Sequence, residues 1–127
     1  MLAFDILLLM DTPLREPTFL ILTALAKEPM HGYGLIGDVA ALSDGRVTLR
    51  PGTLYGALDR LVDAGLVEVD REEIVNGRAR RYYRLSPAGD AMLTEETERL
   101  RRNVEVATIR LRARARTFRP RTAGGLA

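Results

Sequence analysis

A chain of 127 residues suits one compact domain with one long appended element, but not two full domains. It contains no cysteine and one histidine, His31, which excludes disulfides, thiolate metal sites, a cysteine nucleophile and a site with several histidine ligands. With one histidine, no cysteine and no convincing pattern of paired acids, we expect no enzymatic activity. We also expect no cofactor. The lack of cysteine is compatible with a reducing cytoplasm.

The net charge of +2 conceals an uneven distribution. Residues 1–70 have five basic and ten acidic side chains, whereas residues 71–127 have fourteen arginines and seven acids. Because charges act over about 8 Å at physiological salt, local excess matters more than the total. A basic surface for a partner has to come largely from the second half.

Residues 1–15 form an apolar N-terminal segment. Its stretch Leu2–Met10 contains Asp5, precedes Asp11, has no basic residues before it and is too short to span a bilayer. We interpret it as an element that packs on the body or on a partner subunit, not as a signal peptide. We expect a cytoplasmic protein without membrane association.

Two helices are predicted next. The first begins at Glu16-Pro17, with proline in its first turn, and ends before Pro29. A turn at 29–32 follows, and the second helix spans Tyr33–Ser43 before Asp44-Gly45 ends it. Both segments place apolar residues on one face, which predicts that they pack together in the core.

A third helix follows a short strand predicted at Val47–Leu49. It begins at Arg50-Pro51-Gly52 and extends to Gly65, and its apolar residues share one face. Tyr55 lies on the flank. The outer face has small or polar residues: Gly52, Thr53, Gly56, Asp59, Arg60 and Asp63. A face of this kind can approach another surface closely.

A β-hairpin is predicted from Leu66–Val75 and Arg80–Leu85, joined around Asn76-Gly77. A two-residue turn would place Val69 opposite Arg84. A three-residue loop of residues 76–78 instead gives the pairs Val69–Leu85, Asp70–Arg84 and Glu73–Arg81. This second register satisfies apolar and ionic pairs, so we predict it. It leaves Arg78 and Arg80 least neutralised, near the tip.

A long helix is predicted from Ser86-Pro87, where serine caps and proline opens the first turn. It has an apolar stripe at alternating steps of four and three, typical of a helix that pairs with a second copy. The predicted dimer contacts are Leu93, Thr97, Leu100, Val104, Ala107 and Leu111. Its arginines are interpreted as solvated or paired with nearby glutamates, not as a second nucleic-acid stripe. Residues 119–127 are expected to be a disordered basic tail.

This order of elements predicts a mainly α fold with a small β-wing. Residues 16–86 would form a winged helix-turn-helix domain and residues 87–118 a long C-terminal dimerisation helix. In this plan the third helix enters the major groove of DNA and the hairpin touches the flanking backbone.

Three sequence motifs make the interpretation more specific: Met30–Leu35 (MHGYGL), Pro51–Leu61 (PGTLYGALDRL) and Gly77–Gly89 (GRARRYYRLSPAG). Together they resemble the PadR family of bacterial transcription regulators over residues 16–95. The resemblance implies a homodimer, usually a repressor, that binds a palindromic operator in double-stranded DNA, with no metal and no catalysis. It also implies that a small aromatic or cationic ligand at or near the dimer interface releases some members from DNA. Gly56 stands where the family often has proline.

The predicted DNA-contacting residues are Tyr33, Arg50, Thr53, Tyr55, Gly56, Arg60, Arg78, Arg80 and Arg81. The wing arginines would bind phosphates, with Arg81 weakened by an acidic partner. For Tyr33 and Tyr55, packing is as good an interpretation as DNA contact. Asp59 and Asp63 would compete for Arg60 and would repel phosphate, which leaves open a winged helix used only for protein interaction. We expect His31 to cap or be solvated rather than to sense pH.

Overall fold

The computed structural model describes residues 14–117. Within that range the chain forms four α-helices and three strands. In chain order they are α1 (Glu16–Lys27), β1 (Met30–His31), α2 (Gly32–Leu42), α3 (Pro51–Asp63), β2 (Val67–Val75), β3 (Arg78–Leu85) and α4 (Pro87–Thr117). The apolar segment up to residue 13 and the predicted tail at 119–127 lie outside the described residues.

All four predicted helices form, and their ends follow local signals. Pro17 occupies the first turn of α1 and Pro51 begins α3, where a missing backbone N–H costs nothing. The predicted strand at Val47–Leu49 is wrong, because that segment is irregular and its first amide donates to the buried Ser43 hydroxyl at 2.9 Å. The strand that joins the two strands of the hairpin is instead β1, at Met30–His31, where we predicted a turn.

The core lies where α1, α2 and α3 pack together and receive the base of the hairpin. Each helix contributes fully buried aliphatic side chains, and burying one such side chain stabilises the fold by about 1.5–3 kcal/mol. The largest of these are Ile21, Leu22, Leu35, Val39, Leu54, Leu58, Leu66 and Val67. The apolar stripe of α3 therefore faces inward, and its opposite face is available at the surface.

The turn after α2 is fixed by Ser43, which is buried and whose hydroxyl acts as both donor and acceptor. The hydroxyl donates to the Val39 and Ala40 carbonyls at 2.9 and 3.2 Å and accepts from the Val47 amide. Asp44 and Gly45 follow with φ of 53° and 80°, the left-handed region that glycine adopts most easily. This turn sets the angle at which the chain leaves α2 and enters α3.

The three strands form an antiparallel sheet in the order β1-β3-β2. The hairpin turn has two residues, since Val75 opposes Arg78, and Asn76 and Gly77 have φ of 52° and 76°. This is the positive-φ geometry that Asn-Gly favours. The predicted three-residue loop is therefore wrong.

An irregularity in the sheet explains why one uniform register failed. A β-bulge between Val69 and Arg71 shifts the pairing by one residue, so that Val69 opposes Tyr83 and Val67 opposes Leu85. Near the tip, Glu72 opposes Arg81 and Glu73 opposes Arg80. The two-residue turn sets the register near the tip, and the register beyond the bulge places Val67 and Tyr83 in the core, whereas Val69 stays exposed.

The start of α4 is anchored under the hairpin. Ser86 accepts a hydrogen bond from the Gly89 amide at 3.0 Å, the predicted helix cap, and donates to the Gly65 carbonyl at 2.5 Å. A Cβ at Gly89 would overlap the Leu66 carbonyl oxygen, so only glycine fits there. Met92 is buried in the core. The domain boundary predicted at residue 86, between the winged-helix domain and the C-terminal dimerisation helix, stays a prediction.

Candidate nucleic-acid interface

The hairpin β2–β3, called the wing below, stands beside α3 and the start of α2. A cleft of about 600 Å³, the wing cleft, lies between them. One side presents Tyr33 and Tyr55, and the other presents Arg78, Arg80 and Arg81. The structure therefore brings together five of the predicted DNA-contacting residues, from three separate parts of the chain.

Three wing arginines are held by carboxylates. Arg71 contacts Asp70 at 2.7 Å and Glu73 at 2.9 Å. Arg81 contacts Glu72 at 3.1 Å. Arg84 contacts Glu68 at 3.1 Å and Asp70 at 2.9 Å. These hydrogen bonds raise the pKa of all three guanidinium groups. Each charge is thus partly neutralised within the hairpin.

Two wing arginines differ from the others. Within residues 14–117, neither Arg78 nor Arg80 forms an ion pair or a side-chain hydrogen bond. Arg78 follows the turn and is exposed, and Arg80 is half-buried beside Glu73, its partner across the strands. Their donors are available to an anion entering the wing cleft.

A row of three side chains crosses the sheet at the base of the wing. His31, Tyr82 and Arg71 are direct neighbours on β1, β3 and β2. The His31 ring meets Tyr82 edge to face at 5.3 Å, and the Arg71 guanidinium lies 4.0 Å from the Tyr82 ring centroid. This row fastens the wing to the strand that leads directly into α2.

His31 caps α2, as expected for a polar side chain in that turn. Its Nδ1 accepts from the Gly34 amide at 3.3 Å, so in the neutral ring the proton is on Nε2. Burial lowers the pKa of His31, the nearby Arg80 lowers it further, and Glu73 acts in the opposite direction. The structure favours the neutral form.

Tyr55 packs against the first residue of α2. A Cβ at Gly32 would overlap the Tyr55 hydroxyl oxygen and lie 2.6 Å from Cζ. Tyr55 is nevertheless 40% exposed, and Tyr33 next to Gly32 is 70% exposed. The Tyr55 ring thus joins α3 to α2 and also lines the wing cleft, whereas most of the Tyr33 side chain is exposed.

The outer face of α3 is exposed at Gly52 and Thr53, and Arg50 is exposed just before the helix. Gly56 is half-buried, and the Arg60 guanidinium lies over it. These predicted contacts lie on the helix or directly before it, and none of them lines the wing cleft. Two acidic residues of the cleft, Asp59 on α3 and Glu72 on the wing, were not among our predicted contacts. The correct hairpin register would have placed Glu72 beside Arg81.

The predicted dimer contacts lie along α4. Leu93 is half-buried against the core, whereas Thr97 and Ala107 are exposed. Leu100, Val104 and Leu111 are 36%, 64% and 61% exposed. Between them, Arg101 contacts Glu98 and Glu105 at 2.6 and 3.0 Å. The apolar stripe is thus accessible along the second part of α4.

The fold is a winged helix, as predicted. It has a helix-turn-helix core with its third helix, a two-stranded wing and a long C-terminal helix, and these features define the class of winged-helix transcription regulators. The model of the transcriptional regulator PadR-like family matches residues 21–95. The chain belongs to this family, which confirms the resemblance. Within residues 14–117, no helix is long and apolar enough to cross a membrane.

Individual relatives agree with this assignment. The chain is 44% identical over 80 residues to the transcriptional regulator Rv3488 of Mycobacterium tuberculosis, covering 63% of this chain and 71% of that protein. A PadR family transcription regulator from Clostridium difficile matches with 26% identity and a TM-score of 0.61, covering 76% and 99% of the two chains. Bacillus subtilis PadR, solved in complex with operator DNA, shares the fold at 22% identity and a TM-score of 0.57, covering 64% and 47%.

Proposed function

We propose that this protein binds operator DNA as a homodimer and represses transcription from a palindromic site. The observation that carries the proposal is the joint placement of Arg78 and Arg80, which form no ion pair within the described residues, with the exposed outer face of α3. In the proposed complex α3 enters the major groove and the wing arginines bind the flanking phosphates. Bacillus subtilis PadR, which shares the fold, was solved in complex with operator DNA, and this supports DNA as the partner.

The phosphate contacts and the base contacts come from different residues in this proposal. Arg78 and Arg80 supply affinity that does not depend on sequence, and Tyr33 adds a hydroxyl near them. Thr53, Gly56 and Arg60 face the base edges, with Arg50 at the entrance of the helix. Arg81 contributes least, because Glu72 holds it.

The homodimer is proposed from the stripe on α4. Leu100, Val104 and Leu111 expose apolar surface at the spacing of a helix pair, and covering it with a second copy removes that surface from water. A two-fold dimer would place its α3 helices in half-sites about 34–36 Å apart, one helical turn of DNA. Sedimentation at micromolar concentration tests this, and a monomer would contradict both the dimer and the palindrome.

The proposal also includes a cytoplasmic location and release from DNA by a small aromatic or cationic inducer. The family resemblance is what supports the inducer. Identifying the inducer class requires a screen in which the compound both raises the melting temperature of the protein and releases it from DNA. A panel of such compounds without effect on the complex would contradict this part.

The central experiment is a gel shift with a duplex from upstream of the protein's own gene, at two salt concentrations, together with selection from random-sequence duplexes. We expect a specific complex and enrichment of a palindromic sequence, called the selected duplex below. A folded protein that enriches no sequence would contradict the proposal. It would favour a winged helix that binds another protein through the exposed acids of α3, Asp59 and Asp63.

A further inference from the structure

The outer face of α3 has one long side chain with several hydrogen-bond donors. Gly52 and Gly56 have no side chain and Thr53 is short, so this surface can approach a groove closely. A Cβ built at Gly52 would have nothing within 4 Å. Among these outer-face side chains, Arg60 therefore has the most hydrogen-bond donors to offer a partner.

The Arg60 side chain extends toward the start of α3. A Cβ built at Gly56 would lie 3.7 Å from the Arg60 Nη1 atom, so the guanidinium covers the helix backbone one turn before its own Cα. Long helical side chains commonly point toward the N-terminus. The guanidinium thereby lies over Gly56, one turn closer than its own Cα to the end of α3 that presents Gly52 and Thr53.

The acids expected to compete for Arg60 do not hold it. Within the described range, Arg60 forms no ion pair and no side-chain hydrogen bond, with Asp59, Asp63 or any other residue. Asp59 lines the wing cleft instead. The five N–H donors of the guanidinium are therefore available for a partner.

We infer that Arg60 binds one guanine in each half-site and that Gly56 provides the space for its guanidinium. The planar fork of arginine matches the O6 and N7 acceptors that guanine presents in the major groove. A larger side chain at position 56 would occupy the place of the guanidinium. The inference rests on the proposed function, because it names the base that α3 reads in the operator.

The test uses the selected duplex with each guanine replaced, one at a time, by 7-deazaguanine, which keeps base pairing and lacks the N7 acceptor. For wild-type protein we expect one position per half-site where the replacement weakens binding about tenfold. With Arg60→Ala the same replacement should change affinity less than twofold. Arg60→Lys should retain the salt dependence of binding while losing most of the guanine preference.

Two further variants separate base reading from folding and from phosphate binding. Gly56→Leu should leave the melting temperature unchanged or raise it, because leucine favours helix, and should abolish the 7-deazaguanine effect. Arg78→Ala should weaken binding to every duplex and leave that effect intact. The inference is overturned if Arg60→Ala keeps the wild-type 7-deazaguanine penalty, or if no guanine shows one. Failure to select any duplex would instead contradict the proposed function.

Discussion

The wing and α3 face the same cleft but differ in how their charges are used. On the wing, three arginines form ion pairs with carboxylates of the hairpin. The other two, Arg78 and Arg80, form no ion pair within the described residues. On α3, Arg60 stands between two exposed acids and contacts neither. The wing therefore offers positive charge, whereas α3 offers a close approach and one donor-rich side chain.

This difference predicts a division of labour. Phosphates carry no sequence information, so wing contacts should affect all duplexes alike, and changes on α3 should affect particular bases. The paired arginines of the wing provide an internal control, because they have the same charge and lie on the same hairpin.

The largest expected effect is that of the double variant Arg78→Ala/Arg80→Ala. Losing two phosphate contacts per subunit should weaken binding to all duplexes about 10- to 100-fold. The slope of log affinity against log salt should become less steep by about 1.8 for each subunit bound. Titrations at four salt concentrations measure both quantities.

The matched control is Arg81→Ala/Arg84→Ala, which removes the same charge from the same hairpin. Because Glu72, Glu68 and Asp70 hold these side chains, their loss should change the slope much less. Equal slopes for the two double variants would show that net charge alone governs binding, and the distinction between the two classes of arginine would fail.

The second prediction concerns the contact that joins α3 to α2. Gly32→Ala forces the Tyr55 ring out of its position and should lower the free energy of unfolding by about 1–3 kcal/mol. DNA affinity should fall with it, because α3 loses its fixed position. Denaturant unfolding and gel shifts measure the two effects.

Gly37→Ala is the control for this prediction, since it makes the same change in the same helix where nothing lies within 4 Å. It should stabilise the protein by about 0.5–1 kcal/mol. Adding Tyr55→Ala should remove most of the Gly32→Ala penalty, with a coupling energy of about 1 kcal/mol or more. Additive effects would mean that the two residues act independently.

The helices were predictable because their signals are local. Pro17 and Pro51 in first turns and the Ser86 cap mark helix ends wherever the chain folds. The strand at Met30–His31 was not predictable, because these two residues become a strand only by pairing with Tyr82 and Tyr83, far along the chain. Likewise, the bulge at residue 70 depends on fitting the base of the hairpin to the core, and no short-range pattern indicates it.

The candidate site divides in the same way. Arg78 and Arg80 could be proposed from charge near a turn, without knowledge of the fold. The position of Tyr55 over Gly32 and the direction of Arg60 depend on tertiary and side-chain geometry. Sequence spacing predicts that Asp59 and Asp63 compete for Arg60, yet neither contacts it within the described residues.

A smaller effect is expected when a paired wing arginine is released. Glu72→Gln removes the partner of Arg81 and one negative charge from the wing cleft, and should raise affinity for all duplexes about two- to threefold. Glu95→Gln makes the same charge change at an exposed position on α4 and should have no such effect. If both variants bind DNA like the wild type, the ion pair with Glu72 does not limit the contribution of Arg81 to DNA affinity.

The smallest effect is a pH dependence of stability that belongs to His31. Since the fold lowers the pKa of this group below its ordinary 6.5, the unfolded chain binds the proton more readily. The free energy of unfolding should therefore fall as pH decreases through about 6.5 and level off below the pKa of the folded state. Glu16, Asp70 and Glu98, whose pKa values are also lowered, lose their contributions at more acidic pH, below about 4.5.

His31→Asn isolates this contribution, because asparagine can cap α2 through its side-chain oxygen and does not titrate. As His31 is the one histidine of the chain, the slope of stability between pH 5.5 and 7 should be present in the wild type and absent in the variant. Urea unfolding across that range measures it. Identical slopes would mean that protonation of His31 does not weaken the cap of α2. The row from His31 to Arg71 would then hold the wing whatever the charge of His31.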